Sequence, residues 1–155
     1  IVNAVINFNE KRKKDIENNI YRILHNKIKN KIICFLGVTF KANTDDLRDS
    51  SAINLISKFI KKGAKINYYE PSGSKEILDK QKNVNYFDDL YSATKNADLI
   101  IIHTEWDEFK NLNFSKIKNN NKKITIYDLR NLYDSKSFNN KNNITYYSIG
   151  RPVNA

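Results

Sequence analysis

The residues of this chain best suited to chemistry gather in three polar segments: GVTFKANTDDLRDSS (37–51), HTEWDEF (103–109) and YDLRNLYD (127–134). The first carries two cations, Lys41 and Arg48, beside an aromatic ring, Phe40. That combination suits anion binding, with the ring packing on a base or a sugar. The bland alternative is that Lys41 and Arg48 pair with Asp45 and Asp46 and merely stiffen a loop, since exposed ion pairs are common and weak. In the third segment Arg130 follows Asp128, where a guanidinium either clamps a phosphate or bonds to that carboxylate. Residue types alone leave both pairs of readings open. Trp106, the single tryptophan, reads as a plug over a sheet end in preference to a binding platform. Glu105, Asp107 and Glu108 show no fixed partner and read as helix-capping or solvent-facing acids rather than as general acids or bases. Glu70, just before Pro71, falls where dinucleotide folds place a ribose-binding acid, an inference weakened by what the first segment lacks.

That segment has no G-x-G-x-x-G run and offers Gly37 alone, so the usual backbone cradle for a dinucleotide pyrophosphate is missing. Anion binding then falls to Lys41, Arg48 and the N-terminus of the helix expected after Asp49. Cys34 lies inside the apolar run IICFLGV and reads as an inert core thiol. His25 and His103 are far apart with no Cys or carboxylate cluster at ligand spacing, so no metal site is expected.

These segments need elements to position them. From Val2 to about Lys27 the apolar residues keep helical spacing without Gly or Pro, predicting a helix. Lys31 to Gly37 is a short continuous apolar run, the pattern of a strand covered on both faces. Ser51 to Lys62 places Ile53, Ile56, Phe59 and Ile60 on one helical face, with Asp49, Ser50 or Ser51 available as a cap and Gly63 as a stop. AKINYYEP reads as a second strand, followed by a helix near Ser74 to Asp79, a weak extended segment Val84 to Tyr86 and a helix near Phe87 to Asn96. ADLIIIHT is a further buried strand, Trp106 to Ile117 a short helical stretch, KKITIYDLR a strand, and NITYYSIG a more polar strand near a sheet edge. Asn119–Asn121 and Asn139–Asn143 read as turns. The alternation predicts an α/β fold: a doubly wound, mostly parallel, Rossmann-like sheet preceded by the end of a long helix. Each of the three polar segments directly follows a strand, at the sheet end where such folds bind ligands.

A chain of 155 residues suits one domain with an appendage. No apolar run reaches the roughly 18 to 20 residues needed to cross a bilayer, the opening IVNAVINFNE is too short in apolar content for a signal peptide, and the chain reads as soluble and cytoplasmic. The helical pattern begins at residue 1 with no cap, which reads as the downstream half of something longer. The net charge of +10 raises nucleic acid as a partner. Against it, only 5 of the 27 basic residues are Arg, and the lysines are scattered among 24 Asn, a compositional bias rather than a patch.

In its separated motifs the chain resembles the nucleotide-sugar dehydrogenases, specifically the UDP-glucose 6-dehydrogenase family. The residues that carry this are the VIxxN helix around Val5 to Asn9, GVTFKANTDDLRDSS, the strand end YYEP, HTEWDEF, YDLRNLYD and the terminal YYSIGRP, in that order. The resemblance implies that residues 1–29 are the end of a central dimerisation helix and residues 30–155 a C-terminal UDP-sugar-binding domain. It further implies an N-terminal NAD-binding domain elsewhere in a homodimeric enzyme that oxidises UDP-glucose to UDP-glucuronate in two NAD-dependent steps. The thiohemiacetal and thioester of that reaction form on a cysteine upstream of this segment, so Cys34 is not the nucleophile and the chain alone is expected to be inactive. By the same resemblance Phe40, Lys41 and Arg130 contact the substrate, and Arg48 reaches NAD held on the other domain. TEWDEF with YYSIGRP favours the UDP-glucose branch over relatives acting on GDP-mannose or a UDP-N-acetylhexosamine. A stand-alone, non-catalytic nucleotide-binding module is a further alternative.

Overall fold

The computed structural model describes residues 2–117, 123–138 and 143–151, with side chains from residue 8 onward. The Asn119–Asn121 stretch and Asn139–Asn142 lie outside the described residues. The elements run α1 (Val2–Ile23), β1 (Ile32–Leu36), α2 (Ser51–Lys61), β2 (Lys65–Tyr69), α3 (Glu76–Asp79), β3 (Val84–Tyr86), α4 (Leu90–Thr94), β4 (Leu99–Ile102), β5 (Ile124–Asp128) and β6 (Ile144–Ser148), with short 3₁₀ turns between β4 and β6.

Continuous apolar runs become central strands because both of their faces are covered. In β1, Ile33 and Phe35 enter one core while Cys34 and Leu36 enter the other, and β4 divides in the same way, Leu99 and Ile101 against Ile100 and Ile102. The six strands form one sheet in the order β3-β2-β1-β4-β5-β6, and every pairing is parallel. β1 therefore lies between β2 and β4, and the winding direction reverses at the β1–β4 seam. The polar β6 is the edge strand its sequence predicts.

Helices cover both faces. Ala52, Leu55, Ile56 and Phe59 of α2 join the first core, with Ile53 and Ile60 only partly buried at its margin. Leu90 and Ala93 of α4 join the second. Ile16, Ile20 and Ile23 of α1 lie in the same core as Ile33, Phe35 and Tyr127. Burying an aliphatic side chain of this size contributes about 1.5–3 kcal/mol, so the C-terminal half of α1 is held by the sheet.

Local chemistry sets the ends. α1 stops at Ile23 rather than Lys27 because His25 and Asn26 turn left-handed, at φ 51° and 59°, and the Asn26 N–H reaches back to the Tyr21 carbonyl at 2.7 Å. α2 ends as its glycine predicts: Gly63, at φ 85°, donates to the Ile60 carbonyl and Ala64 to that of Phe59, at 2.8 and 3.0 Å. This reciprocal pair closes the helix. The helix expected over Phe87–Asn96 is confined to Leu90–Thr94, started by the Asp89 carboxylate, which accepts from the Ser92 N–H at 2.7 Å. The stretch expected over Trp106–Ile117 is two 3₁₀ turns, Asp107–Asn111 and Phe114–Lys116.

Candidate functional site

The loops after β1, β4 and β5 meet at the carboxyl ends of the strands, over the seam. Gly37 makes the first turn possible: its φ is 79°, and a Cβ there would lie 2.6 Å from Thr104 Cβ, so only glycine lets the β1 and β4 chains pass. The loop then folds back on itself. The Phe40 N–H donates to the Asp46 carbonyl at 2.9 Å, and Asn43 and Asp49 adopt left-handed backbone at φ 59° and 61°, which short polar residues tolerate. Phe40 is left 49% exposed at the loop's crest.

Glu70 anchors this loop from below. Its buried carboxylate accepts from the Val38 and Thr39 N–H groups at 2.7 and 3.1 Å through one oxygen. The other oxygen accepts from the Ser72 N–H and hydroxyl at 3.3 and 3.0 Å. These loop donors are the ones that an open nucleotide fold turns toward a pyrophosphate. Here the protein supplies its own anion, and together with the missing glycines this means that the β1 loop does not fit a dinucleotide in the usual place.

Arg130 ties the three loops together. Its Nε donates to the His103 carbonyl at 2.7 Å and its Nη2 to the Phe40 carbonyl at 3.4 Å, while Glu105 Oε2 sits 3.0 Å from the same Nε as its counter-charge. Asp128 does not take the guanidinium. Its carboxylate accepts from the backbone N–H groups of Arg130 and Leu132, at 2.8 and 2.7 Å, and from the Tyr146 hydroxyl at 2.8 Å. Of the three acids in HTEWDEF read as partnerless, Glu105 therefore pairs with Arg130, Asp107 with Lys110 at 2.6 Å, and Glu108 accepts from the Tyr69 hydroxyl at 3.0 Å. Trp106 packs against the second core.

Phe40 and Arg130 face a cleft of about 570 Å³ that is also lined by Ser50, Ser51 and His103, with Asn9, Glu10, Arg12 and Lys13 of α1 as the opposite wall. Lys41 is exposed next to Phe40, and its carbonyl accepts from the Thr39 hydroxyl at 3.1 Å. Arg48 stands apart from this cleft. Its side chain is 89% exposed and forked onto Asp46, with Nε–Oδ1 3.0 Å and Nη2–Oδ2 2.8 Å. That hydrogen bonding holds the Asp46 carboxyl down at about 2. The loop-stiffening reading thus holds for Arg48 with Asp46, whereas Lys41 is in no ion pair among those described.

His103 is a site residue that spacing alone does not single out, although its place, first after an apolar run, marks a strand end over the seam. It is 2% exposed. Burial, and secondarily the charge of Arg130, push its imidazole down to about 3, so it is neutral at physiological pH. Ser50, expected as a cap of α2, instead donates its hydroxyl to the Val38 carbonyl at 2.6 Å. Cys34 is fully buried, and burial drives its thiol well above the usual range, leaving it without thiolate character. Among the described residues no helix is long and apolar enough to cross a membrane.

Residues 34–135 match the family model described as "UDP-glucose/GDP-mannose dehydrogenase family, UDP binding domain". The chain belongs to this family. As a nucleotide-sugar dehydrogenase domain it is 36% identical to a UDP-glucose 6-dehydrogenase of Rickettsia conorii, over 99% of this chain and 36% of that protein. It is 32% identical to UDP-glucose 6-dehydrogenase 2 of Arabidopsis thaliana, over 97% of this chain and 36% of that protein. The chain thus spans about a third of the length of these relatives. Among solved structures, a UDP-D-ManNAc dehydrogenase from Pyrococcus horikoshii superposes with a TM-score of 0.71 at 26% identity, covering 92% of this chain and 32% of that one. A UDP-glucose dehydrogenase from Pyrobaculum islandicum gives 0.73 at 21% identity, covering 94% and 31%, a likeness of fold.

Proposed function

We propose that this chain is the UDP-sugar-holding C-terminal part of an NAD-dependent UDP-glucose 6-dehydrogenase, which converts UDP-glucose to UDP-glucuronate in the cytoplasm. The observation that carries the reading is the meeting of Phe40 and Arg130 over one cleft at the β1–β4 seam, with Lys41 beside them. An aromatic ring and two cations suit a nucleoside diphosphate: the ring packs on a flat or sugar face, and the cations offset phosphate charge. The relatives named UDP-glucose 6-dehydrogenase support UDP-glucose as the substrate.

In this reading residues 30–155 form the binding domain, residues 1–29 end a dimerising helix, and the NAD site and the nucleophilic cysteine lie outside these 155 residues. Two features of this chain suit that division. Glu70 fills the loop donors that a dinucleotide would need, and Cys34 is sealed in the core. The exposure of Arg48, which Asp46 holds outward, supports a contact with a cofactor carried by another domain. One domain gripping the sugar nucleotide while another grips the cofactor fixes the distance that oxidation at the sugar C6 requires.

Calorimetric titration of the chain with UDP-glucose, UDP and GDP-mannose, repeated with Lys41→Ala and Arg130→Ala, tests this. Uridine-selective binding that both substitutions abolish is the expected result. Preference for GDP-mannose would move the assignment to another branch of the family, and binding insensitive to both substitutions would refute the site.

A further inference from the structure

A chain of hydrogen bonds runs from the loop after β1 to the first residue of α2, and its direction follows from counting protons. The Thr39 carbonyl can only accept, so the Thr104 hydroxyl, 3.0 Å away, spends its one hydrogen there. Thr104 Oγ1 must then accept from its other neighbour, His103 Nδ1 at 3.1 Å, which places the imidazole proton on Nδ1. A neutral imidazole so protonated has a bare Nε2, and Ser51 Oγ lies 2.9 Å from it. Burial of the ring beside Arg130 keeps it neutral. The Ser51 hydrogen is therefore donated inward to His103.

Ser51 is only part-buried and lines the cleft with Phe40 and Arg130. We propose that Ser51 is a specificity-determining residue: with its proton committed to His103, its oxygen offers the cleft lone pairs alone and selects a ligand group that brings a hydrogen, a hydroxyl or N–H of the nucleotide sugar, over a phosphate oxygen. The inference rests on the proposed function for the identity of the ligand. It gives the cleft two zones, a cation at Arg130 for the diphosphate and an acceptor at Ser51 for the sugar or nucleoside. His103 is a positioning residue in this scheme: burial beside the Arg130 charge disfavours the imidazolium that removing the Ser51 proton would create, so Nε2 orients that proton without taking it.

Two measurements test it. The ¹⁵N shifts of His103 in the intact chain at neutral pH should show a protonated Nδ1 and a pyridine-type Nε2. The opposite tautomer would free the Ser51 hydrogen for the ligand and overturn the proposal. Calorimetry with UDP-glucose, UDP and inorganic pyrophosphate should show Ser51→Ala weakening UDP-glucose by about 3- to 10-fold while leaving pyrophosphate unchanged, and Ser51→Thr, which keeps the hydroxyl, should restore most of the loss. A loss with UDP-glucose alone assigns the donor to the sugar, and an equal loss with UDP assigns it to the nucleoside. Equal weakening of all three ligands, or none, overturns the inference while leaving the proposed function intact. A wild-type chain that binds no nucleotide refutes the proposed function itself.

Discussion

Replacing Glu70 by Gln changes one oxygen to an amide nitrogen and should loosen the whole cleft. The carboxylate now accepts four hydrogen bonds, two from the Val38 and Thr39 N–H groups and two from Ser72. An amide offers one oxygen. If that oxygen stays under the β1 loop, its two bonds become neutral instead of charge-assisted, and the NH₂ faces the Ser72 N–H donor to donor. The Ser72 hydroxyl can turn to accept, but the N–H cannot. Two weakened bonds at about 1 kcal/mol each and one orphaned donor at about 1–3 kcal/mol give a gross loss of roughly 3–5 kcal/mol. Relief from burying a charge offsets part of this, leaving a net destabilisation of about 2 kcal/mol. Urea unfolding of both proteins followed by circular dichroism should register it as a lower midpoint at unchanged slope. Because Phe40 hangs directly from Thr39, UDP-glucose affinity should fall as well. A loss below about 0.5 kcal/mol, or a gain, would refute the view that this carboxylate holds the loop.

Gly37→Ala should cost more than about 2 kcal/mol, from the left-handed backbone and the 2.6 Å approach to Thr104 Cβ together, and thermal unfolding should show a clear drop in Tm. Acid should destabilise the protein partly through His103: its value is near 6.5 when unfolded and about 3 when folded, so the unfolded chain takes up the proton first. The stability present above pH 6.5 is lost as pH falls toward 3, at up to about 1.4 kcal/mol per pH unit, and urea titrations at pH 7 and pH 5 should show a fall that shrinks in His103→Asn. Cys34 should react with a thiol reagent only at the rate of unfolding, which labelling with and without urea will reveal, because the side chain has no exposure.

The strands that carry the site are legible in the sequence, because unbroken apolar runs such as those of β1 and β4 have few alternatives to a doubly covered sheet. Local spacing fails where a distant group takes a backbone donor. The Trp106–Ile117 segment cannot continue as one helix, since the Leu112 N–H donates to the Tyr133 hydroxyl at 3.1 Å and the Asn113 N–H to the Tyr91 hydroxyl at 3.0 Å. Those tyrosines are 21 and 22 residues away in the chain. The pairing of Arg130 with Glu105 was hidden for the same reason: Asp128 is nearer in sequence, but its oxygens are spent on backbone N–H groups and Tyr146. Arg48 and Asp46, two residues apart, were legible because the loop that brings them together is the loop that contains them.

The embedding of α1 has a mechanical consequence. From Ile16 onward the helix is set into the core, whereas residues 8–15 are exposed. A helix rises about 1.5 Å per residue, so the part ahead of Ile16 projects roughly 20 Å as a stiff arm, and a turn of about 10° at its root carries its tip through about 3.5 Å. Asn9, Glu10, Arg12 and Lys13 on that arm form one wall of the cleft. The width of the cleft is therefore tied to the angle at which the helix leaves the sheet, with the helix as lever and the sheet as fulcrum.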